Sequence, residues 1–342
     1  MVTAHGEILV ASAGQHADLF WALRGGGGGT FGVVSAMTFR THPMPETLSN
    51  MAGTIRAASD DDYRRLLGAL LRFFPDLDEQ RWGEQIRFGP DNALRLRMQT
   101  AGVPGDQARA VWRPFLAWAG RQPGLDVTEA AVVTIPFAVL WDDTWWAQAR
   151  PEMICRDERP GQPAGNYWWA ANQFEVSWFL EAYQSRWIPR SLFDESPDTL
   201  AGALFAGSRH WGAELHVNKG LWGAPPEVIR RERATSVHPA ASEAAALLIS
   251  ASFREHAGPA GREPGRAAGA ARARRVGQAM DPVRAITPGS GSYVNETDYF
   301  EPDWAASFWG PNYPRLLETK RAWDPAGLLR VHHGVGSEPA VG

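Results

Sequence analysis

The chain has 342 residues, a length that favours about two domains. Its 44% hydrophobic content excludes wholesale disorder, and 34 basic against 38 acidic residues give no electrostatic footprint for nucleic acid or an anionic membrane. The single cysteine, Cys155, excludes an intramolecular disulfide and a multi-cysteine zinc site. No apolar run approaches membrane-spanning length, so we expect a soluble protein.

The first zone, residues 1–45, predicts two short strands around one helix. Glu7–Ala11 has the pattern of a strand, and Asp18–Leu23 that of a helix. A glycine run follows, and then apolar side chains alternate through Phe31–Phe39, which predicts a second strand. Prolines 43 and 45 end regular structure.

The second zone, residues 46–285, alternates helical and strand patterns. Ser59 followed by three aspartates is a helix start, and leucines then recur at helical spacing. Pro104–Trp118 predicts another helix, and Leu94–Met98 alternates with arginines as a half-exposed antiparallel strand does. The Ala-, Gly- and Arg-rich segment Gly258–Arg275 is interpreted as a solvated connection.

The third zone, residues 286–342, opens with a Pro-Gly-Ser-Gly-Ser loop. A short strand is expected at Tyr293–Asn295, and a helix from about Asn312 to Trp323. Asp324 precedes a proline and is therefore expected to end that helix.

Five consecutive glycines, Gly25–Gly29, lie between two apolar segments. Glycine in such a place permits positive φ or close approach of the backbone to another group, and a cofactor edge fits that role. A flexible linker is the alternative interpretation. The order helix, glycines, strand is the reverse of the Rossmann fingerprint, and the Walker lysine is absent from the run.

Four stretches carry a family resemblance. Asp18–Val34 resembles a segment of the berberine-bridge-enzyme-like FAD-linked oxidases, which belong to the vanillyl-alcohol-oxidase superfamily. Ser292–Asp298 resembles the Tyr-x-Asn motif of that family, although many members have an aromatic residue where Glu296 stands. Phe308–Leu316 resembles its Gly-x-Asn-Tyr helix start, and Lys320–Gly336 resembles its tail. The sequences of these stretches are similar to those of the isoamyl-alcohol-oxidase-like branch of the family.

The resemblance implies an α+β fold. We expect residues 1–45 and 286–342 to be the C-terminal portion of a PCMH-type FAD-binding domain, with 46–285 inserted as a substrate domain whose antiparallel sheet is flanked by helices. We also expect the chain to be N-terminally truncated, without the family's pyrophosphate loop and its FAD-attaching His and Cys. The implied cofactor is FAD, contacted by Gly26, Gly27, Gly28, Gly29, Thr30, Phe31, Gly32, Val33, Val34, Tyr293, Asn295 and Asn312.

The family often uses the tyrosine of its motif as a base, so the resemblance makes Tyr293 the candidate. A phenol needs neighbouring cations or donors to act as a base near neutral pH. A second candidate group is Glu214 and His216, which alternation places on one strand face with His210 and Asn218. These residues would line a polar cavity, or lie on the solvated face of a two-sided strand.

The resemblance implies oxidation of a small-molecule substrate of the alcohol type, with hydride transfer to flavin N5 and O2 as acceptor. One alternative is a truncated or degenerate non-catalytic fragment, and another is an aromatic-rich carbohydrate-binding module, since the chain has 16 tryptophans. No metal site is expected, because His332 and His333 would point to opposite faces of a strand. Asp142 and Asp143 are expected in an exposed turn of a helix.

Overall fold

The fold was analysed in a computed structural model. It describes residues 1–79, 81–163, 165–173, 175, 178–221, 223–256 and 265–338.

An antiparallel sheet of seven strands organises the middle of the chain, in the order β4-β1-β3-β2-β8-β9-β7. A separate two-stranded sheet pairs β5 with β6. The strands are β1 Thr47–Ala57, β2 Gly83–Phe88, β3 Ala93–Ala101, β4 Leu125–Pro136, β5 Ile154–Arg156, β6 Tyr167–Trp169, β7 Trp178–Pro189, β8 Ala213–His216 and β9 Ala244–His256.

Ten α-helices are assigned within the described residues, and those packed on the large sheet cover one of its faces. They are α1 Ala17–Leu23, α2 Asp60–Glu79, α3 Gly105–Ala119, α4 Asp143–Ala149, α5 Ser191–Asp194, α6 Pro197–Ser208, α7 Pro226–Arg233, α8 Arg266–Ile286, α9 Trp304–Trp309 and α10 Tyr313–Trp323. This mixture of helices and antiparallel sheet confirms the predicted α+β class.

The main core lies between these helices and alternate residues of the strands. Ser59 begins α2 as predicted, because its Oγ accepts from the Asp62 amide at 3.1 Å. Leu66 and Leu70 of α2 are buried against Leu94 and Leu96 of β3. Each such side chain contributes about 1.5–3 kcal/mol of transfer free energy when fully buried. The other face carries polar residues on β8, β2 and β3 and a smaller apolar cluster that contains Trp187, Leu247 and Ile249.

A second apolar cluster joins the two ends of the chain. It contains Trp21 and Phe31 from the first zone and Trp309 and Leu316 from the third. Buried Lys320 crosses the same junction, because its Nζ donates to Thr30 O at 2.7 Å as well as to Asp324 Oδ2 at 2.5 Å. The glycine run is thereby tied to α10.

The three short strands predicted outside the sheet do not form. Within 1–45, Val2 makes single isolated bridges to Ile8 and Val33, and Met37 and Phe39 are exposed. Alternation alone cannot hold a strand, because the backbone groups need a neighbouring ladder. The segment from Tyr293 is instead a turn, closed by the Glu296 amide donating to Tyr293 O at 2.9 Å.

The prediction of a solvated connection through Gly258–Arg275 is wrong for its second half. Helix α8 begins at Arg266, and its Arg272 forms an ion pair with Glu181 of β7. Further along α8, Met280 and Val283 are buried in the main core. Ala and Arg are strong helix formers, which outweigh the single Gly269 within this stretch. Residues 257–264 lie outside the described residues.

Candidate functional site

A cleft of about 380 Å³ opens between the glycine run and the turn at Tyr293. Its other walls come from Trp187 of β7, His238 and Phe308. Nine of the predicted cofactor residues line it: Gly27, Gly28, Gly29, Thr30, Phe31, Gly32, Val34, Tyr293 and Asn295. The cleft is mainly apolar with a few convergent polar groups, as small-molecule and cofactor sites are.

The glycines of the run serve two different purposes. A Cβ on Gly26 would come within 2.5 Å of the Phe31 ring and 2.6 Å of Ala22 O, so this glycine is required by packing. Gly28 has no atom within 4 Å of the position of a Cβ, so its side faces open space. The run is therefore anchored at one end and open to the cleft in its middle.

The open part of the run also offers hydrogen-bond donors. Among the described contacts, the amides of Gly27, Gly28, Gly29 and Thr30 donate to no protein acceptor. Unpaired backbone donors beside an apolar cleft suit the carbonyl and ring-nitrogen acceptors of a flavin edge. These residues therefore fit the cofactor that the resemblance implied.

Strand β7 positions the tyrosine of the motif. Its Ser185 Oγ accepts from the Tyr293 amide at 3.0 Å, and Ser292 Oγ donates to Ser185 O at 2.8 Å. The Tyr293 ring lies against Trp187, with centroids 5.9 Å apart. Asn295 Nδ2 donates to Tyr293 Oη at 2.8 Å. The phenol oxygen is thus held by the second polar residue of its own motif.

Two further groups surround Tyr293 that sequence reasoning did not select. Lys219 Nζ lies 5.3 Å from the centroid of the Tyr293 ring and 2.7 Å from Glu296 Oε2. Burial, and then the charge of Glu296 and the hydrogen bond to it, raise the pKa of Tyr183. Lys219 is the last residue of the polar segment that contains Glu214 and His216. Its position in that segment was the only indication in the sequence that Lys219 could belong to the site.

Strand β8 carries the second predicted pair on the polar face of the sheet. Glu214 Oε2 lies 3.4 Å from His216 Nε2, and Glu214 Oε1 lies 2.8 Å from Arg87 Nε. Burial opposes ionisation of Glu214, but the hydrogen bond from His216 and the charge of Arg87 outweigh it and lower its pKa. Glu214 also acts electrostatically on Tyr183. Beyond burial, Glu214 and Glu296 therefore both raise the pKa of Tyr183.

The prediction that His210, Glu214, His216 and Asn218 share one strand face is wrong for His210 and Asn218, which lie outside the strand. β8 ends at His216, and residues 217–219 form a 3-10 turn in which Asn218 Nδ2 donates to Glu84 Oε1 at 3.0 Å. His210 lies in the turn after α6, where its amide bonds Gly207 O. Only Glu214 and His216 share the β8 face, because the chain turns on both sides of a four-residue strand.

Three predicted cofactor residues do not line the cleft. Gly26 is packed under Phe31, and Val33 is exposed at the bridge to Val2. Asn312 Nδ2 donates to Val237 O at 2.8 Å and so holds the loop beside the cleft.

Two clusters of polar side chains outside the cleft also have structural explanations. The rings of His332 and His333 stack 3.8 Å apart, which corrects the expectation of opposite strand faces. No group of metal-binding side chains occurs among the described residues. Asp142 caps α4 by accepting from the Trp145 amide at 2.9 Å.

Comparison with known proteins identifies relatives across the chain. The family model described as "Berberine and berberine like" matches residues 292–336. FAD-linked oxidoreductase ZEB1 of Gibberella zeae is 30% identical over 345 residues, covering 99% of this chain and 53% of the relative. VAO-type flavoprotein oxidase VAO615 of Thermothelomyces thermophilus is 30% identical, covering 99% and 53%. The chain is therefore similar over almost its whole length to FAD-linked oxidoreductases, and its residues 292–336 match the berberine-like family model.

The fold of this family agrees with that of the chain. The crystal structure of the VAO-type flavoprotein MtVAO615 from Myceliophthora thermophila superposes with a TM-score of 0.73 at 26% identity, covering 98% of this chain and 56% of that one. Berberine-bridge-enzyme-like protein 1 of Physcomitrella patens has the same fold, with a TM-score of 0.69 at 15% identity, covering 99% and 64%. FAD is confirmed as the family's cofactor.

The chain spans about half the length of the curated relatives it matches. None of the helices among its described residues combines the length and apolarity that crossing a bilayer requires.

Proposed function

We propose that this chain forms part of an FAD-dependent oxidase that oxidises an alcohol-type substrate and passes the electrons to O2. The observation that carries the proposal is the cleft in which Tyr293, with Asn295 donating to its oxygen, faces the unpaired amides of the glycine run. Bound FAD would supply a two-electron acceptor for the hydride that leaves the substrate carbon. The amides of residues 27–30 would hold the cofactor's polar edge.

The protein's own task is to accept the hydroxyl proton of the substrate. When the C–H bond breaks and the carbonyl forms, that proton passes to Tyr293 Oη, and the electron pair leaves with the hydride. Asn295 Nδ2 donates to this oxygen and the Lys219 ammonium lies over the ring, which supplies the donor and the cation that a phenol base needs. Bound FAD would also supply the two electrons that reduce O2 to hydrogen peroxide.

We assign Glu214 and His216 to orientation of the substrate hydroxyl from the polar face of the sheet. Glu214 is 27% exposed, so a ligand can reach it. The division into residues 1–45, 46–285 and 286–342 is part of the same proposal. It is supported by the apolar cluster that joins the first and third segments and by the sheet that lies between them in sequence.

The proposal is tested with Tyr293→Phe in the chain supplied with FAD. We expect flavin binding to persist, because Phe keeps the ring against Trp187, and flavin bleaching by an alcohol to slow about 10²–10⁴-fold. Tyr299→Phe is the matched control, since Tyr299 is 63% exposed and does not line the cleft. Equal bleaching rates in both variants would remove Tyr293 from the role of base. Failure of the wild-type chain to bind FAD would favour a non-catalytic fragment.

A further inference from the structure

The polar face of the sheet carries two rows of side chains that pass through His216 and Glu214, the pair assigned above to the substrate hydroxyl. Residues directly opposite one another on adjacent strands share a face of the sheet. One row starts at His216 and the other at Glu214, both on β8. Each row continues through β2, β3 and β1. The first row contains His216, Gln85, Arg97 and Ala52. The second row contains Glu214, Arg87, Arg95 and Thr54.

These rows bring arginines close to one another on the sheet. Arg87 stands directly opposite Arg95, an arrangement that like charges disfavour. Arg87 is paired with Glu214 at 2.8 Å, and Arg95 Nη2 with Asp91 Oδ2 at 2.5 Å. Asp91 is shared with a further arginine, Arg56, at 3.8 Å. Arg87, Arg95 and Arg56 therefore each have a carboxylate partner, and Asp126 of β4 also stands opposite Arg56.

Arg97 is the arginine left over. Its side chain is exposed, and among the described residues it has no hydrogen bond or ion pair. It lies in the same row as His216, two strands away, which corresponds to about 10 Å between backbones. On the other side of His216 the same row continues through Leu247 of β9 to Trp187 of β7, which lines the cleft. Arg97 would therefore meet the far end of a substrate whose hydroxyl is oriented by Glu214 and His216.

We propose that this arginine row, Arg97 with Arg87 and Arg95, binds a carboxylate on the substrate and so selects anionic alcohols. The inference rests on the proposed function, whose substrate class it specifies. The guanidinium fork of Arg97 matches a carboxylate in two parallel hydrogen bonds. A carboxylate also relieves the repulsion between the facing arginines.

The test compares two probes that differ only in charge, 4-(hydroxymethyl)benzoate and 4-(hydroxymethyl)benzamide. Their binding to the FAD-supplied chain is measured by titration calorimetry, in wild type, Arg97→Gln and Arg113→Gln. Arg113 is the matched control, an exposed arginine on α3 in the helical layer. We expect Arg97→Gln to raise the Kd of the benzoate about tenfold and leave that of the benzamide unchanged. Arg113→Gln should change neither.

Salt and flavin bleaching separate the possible failures. The Kd of the benzoate should rise with ionic strength while that of the benzamide does not. Equal affinity of the two probes for wild type, no binding of either, or equal effects of the two substitutions would overturn the anion site. If the benzoate binds through Arg97 but neither alcohol bleaches the flavin, the oxidase proposal fails and the anion site stands. If both bleach it equally well at equal affinity, the oxidase proposal stands and the anion site fails.

Discussion

Two carboxylates in this protein are held in opposite ways. Asp324, at the end of α10, is 1% exposed and accepts from Lys320 at 2.5 Å and from the amides of Leu328 and Leu329 at 2.9 Å each. Glu214, on β8, is 27% exposed and shared between Arg87 and His216. The first has every donor it needs within the protein, whereas the second is open to solvent. Burial with complete pairing marks a structural carboxylate, and partial exposure leaves the other available to a ligand.

The largest effect is expected at the buried carboxylate. Asp324→Asn keeps the volume but leaves the Lys320 ammonium buried without a counter-charge, which costs about 3–5 kcal/mol of unfolding free energy. Urea denaturation measures it. Glu318→Gln, at an exposed acid on the same helix, is the control and should change the unfolding free energy by less than about 0.5 kcal/mol. A small loss in Asp324→Asn would mean that the pair does not hold the glycine run to α10.

Measuring the unfolding free energy as the pH is lowered tests whether the charge of Asp324 causes this loss of stability. Burial opposes ionisation of Asp324, but the Lys320 hydrogen bond and the backbone donors outweigh it and lower its pKa. A lowered folded pKa gives stability that is complete above the unfolded value of about 3.9 and is lost as the pH falls further. Wild type should therefore lose stability below about pH 4 more steeply than Asp324→Asn.

The two faces of the sheet give the next largest contrast, at neighbouring residues of β3. Leu96 is buried in the main core, so Leu96→Ala is expected to cost about 2–5 kcal/mol. Arg97 points to the polar face and has no partner among the described residues, so Arg97→Ala should change the unfolding free energy by less than about 0.5 kcal/mol. The same denaturation experiment measures both. A comparable loss in the two variants would show that the polar face carries structure.

The sequence predicts the apolar face well, because its signals are local. The Ser59 cap, the leucine stripe of α2 and the alternation in β3 each depend on residues a few positions apart, and all three elements form. The strand predicted at Phe31–Phe39 fails for the complementary reason. Its apolar alternation is present, but the only ladder contact among the described residues is the Val2–Val33 bridge.

The candidate site is less accessible to sequence reasoning, because its contacts join distant positions. The motif resemblance selects Tyr293 and Asn295, which the turn brings together. Lys219 reaches Glu296 and Tyr293 across more than 70 positions, and no local pattern marks that meeting. Arg97 comes into register with His216 only through the strand order of the sheet.

The smallest effect is expected at the exposed carboxylate. Glu214→Gln removes a partly solvated ion pair with Arg87, which is worth at most about 1 kcal/mol. A double-mutant cycle with Arg87→Gln isolates the pair, and we expect a coupling energy of about 0.2–1 kcal/mol. A coupling of several kcal/mol would make Glu214 a structural carboxylate like Asp324. A small coupling means that Arg87 can exchange Glu214 for another anion at little cost, as the proposed carboxylate site requires.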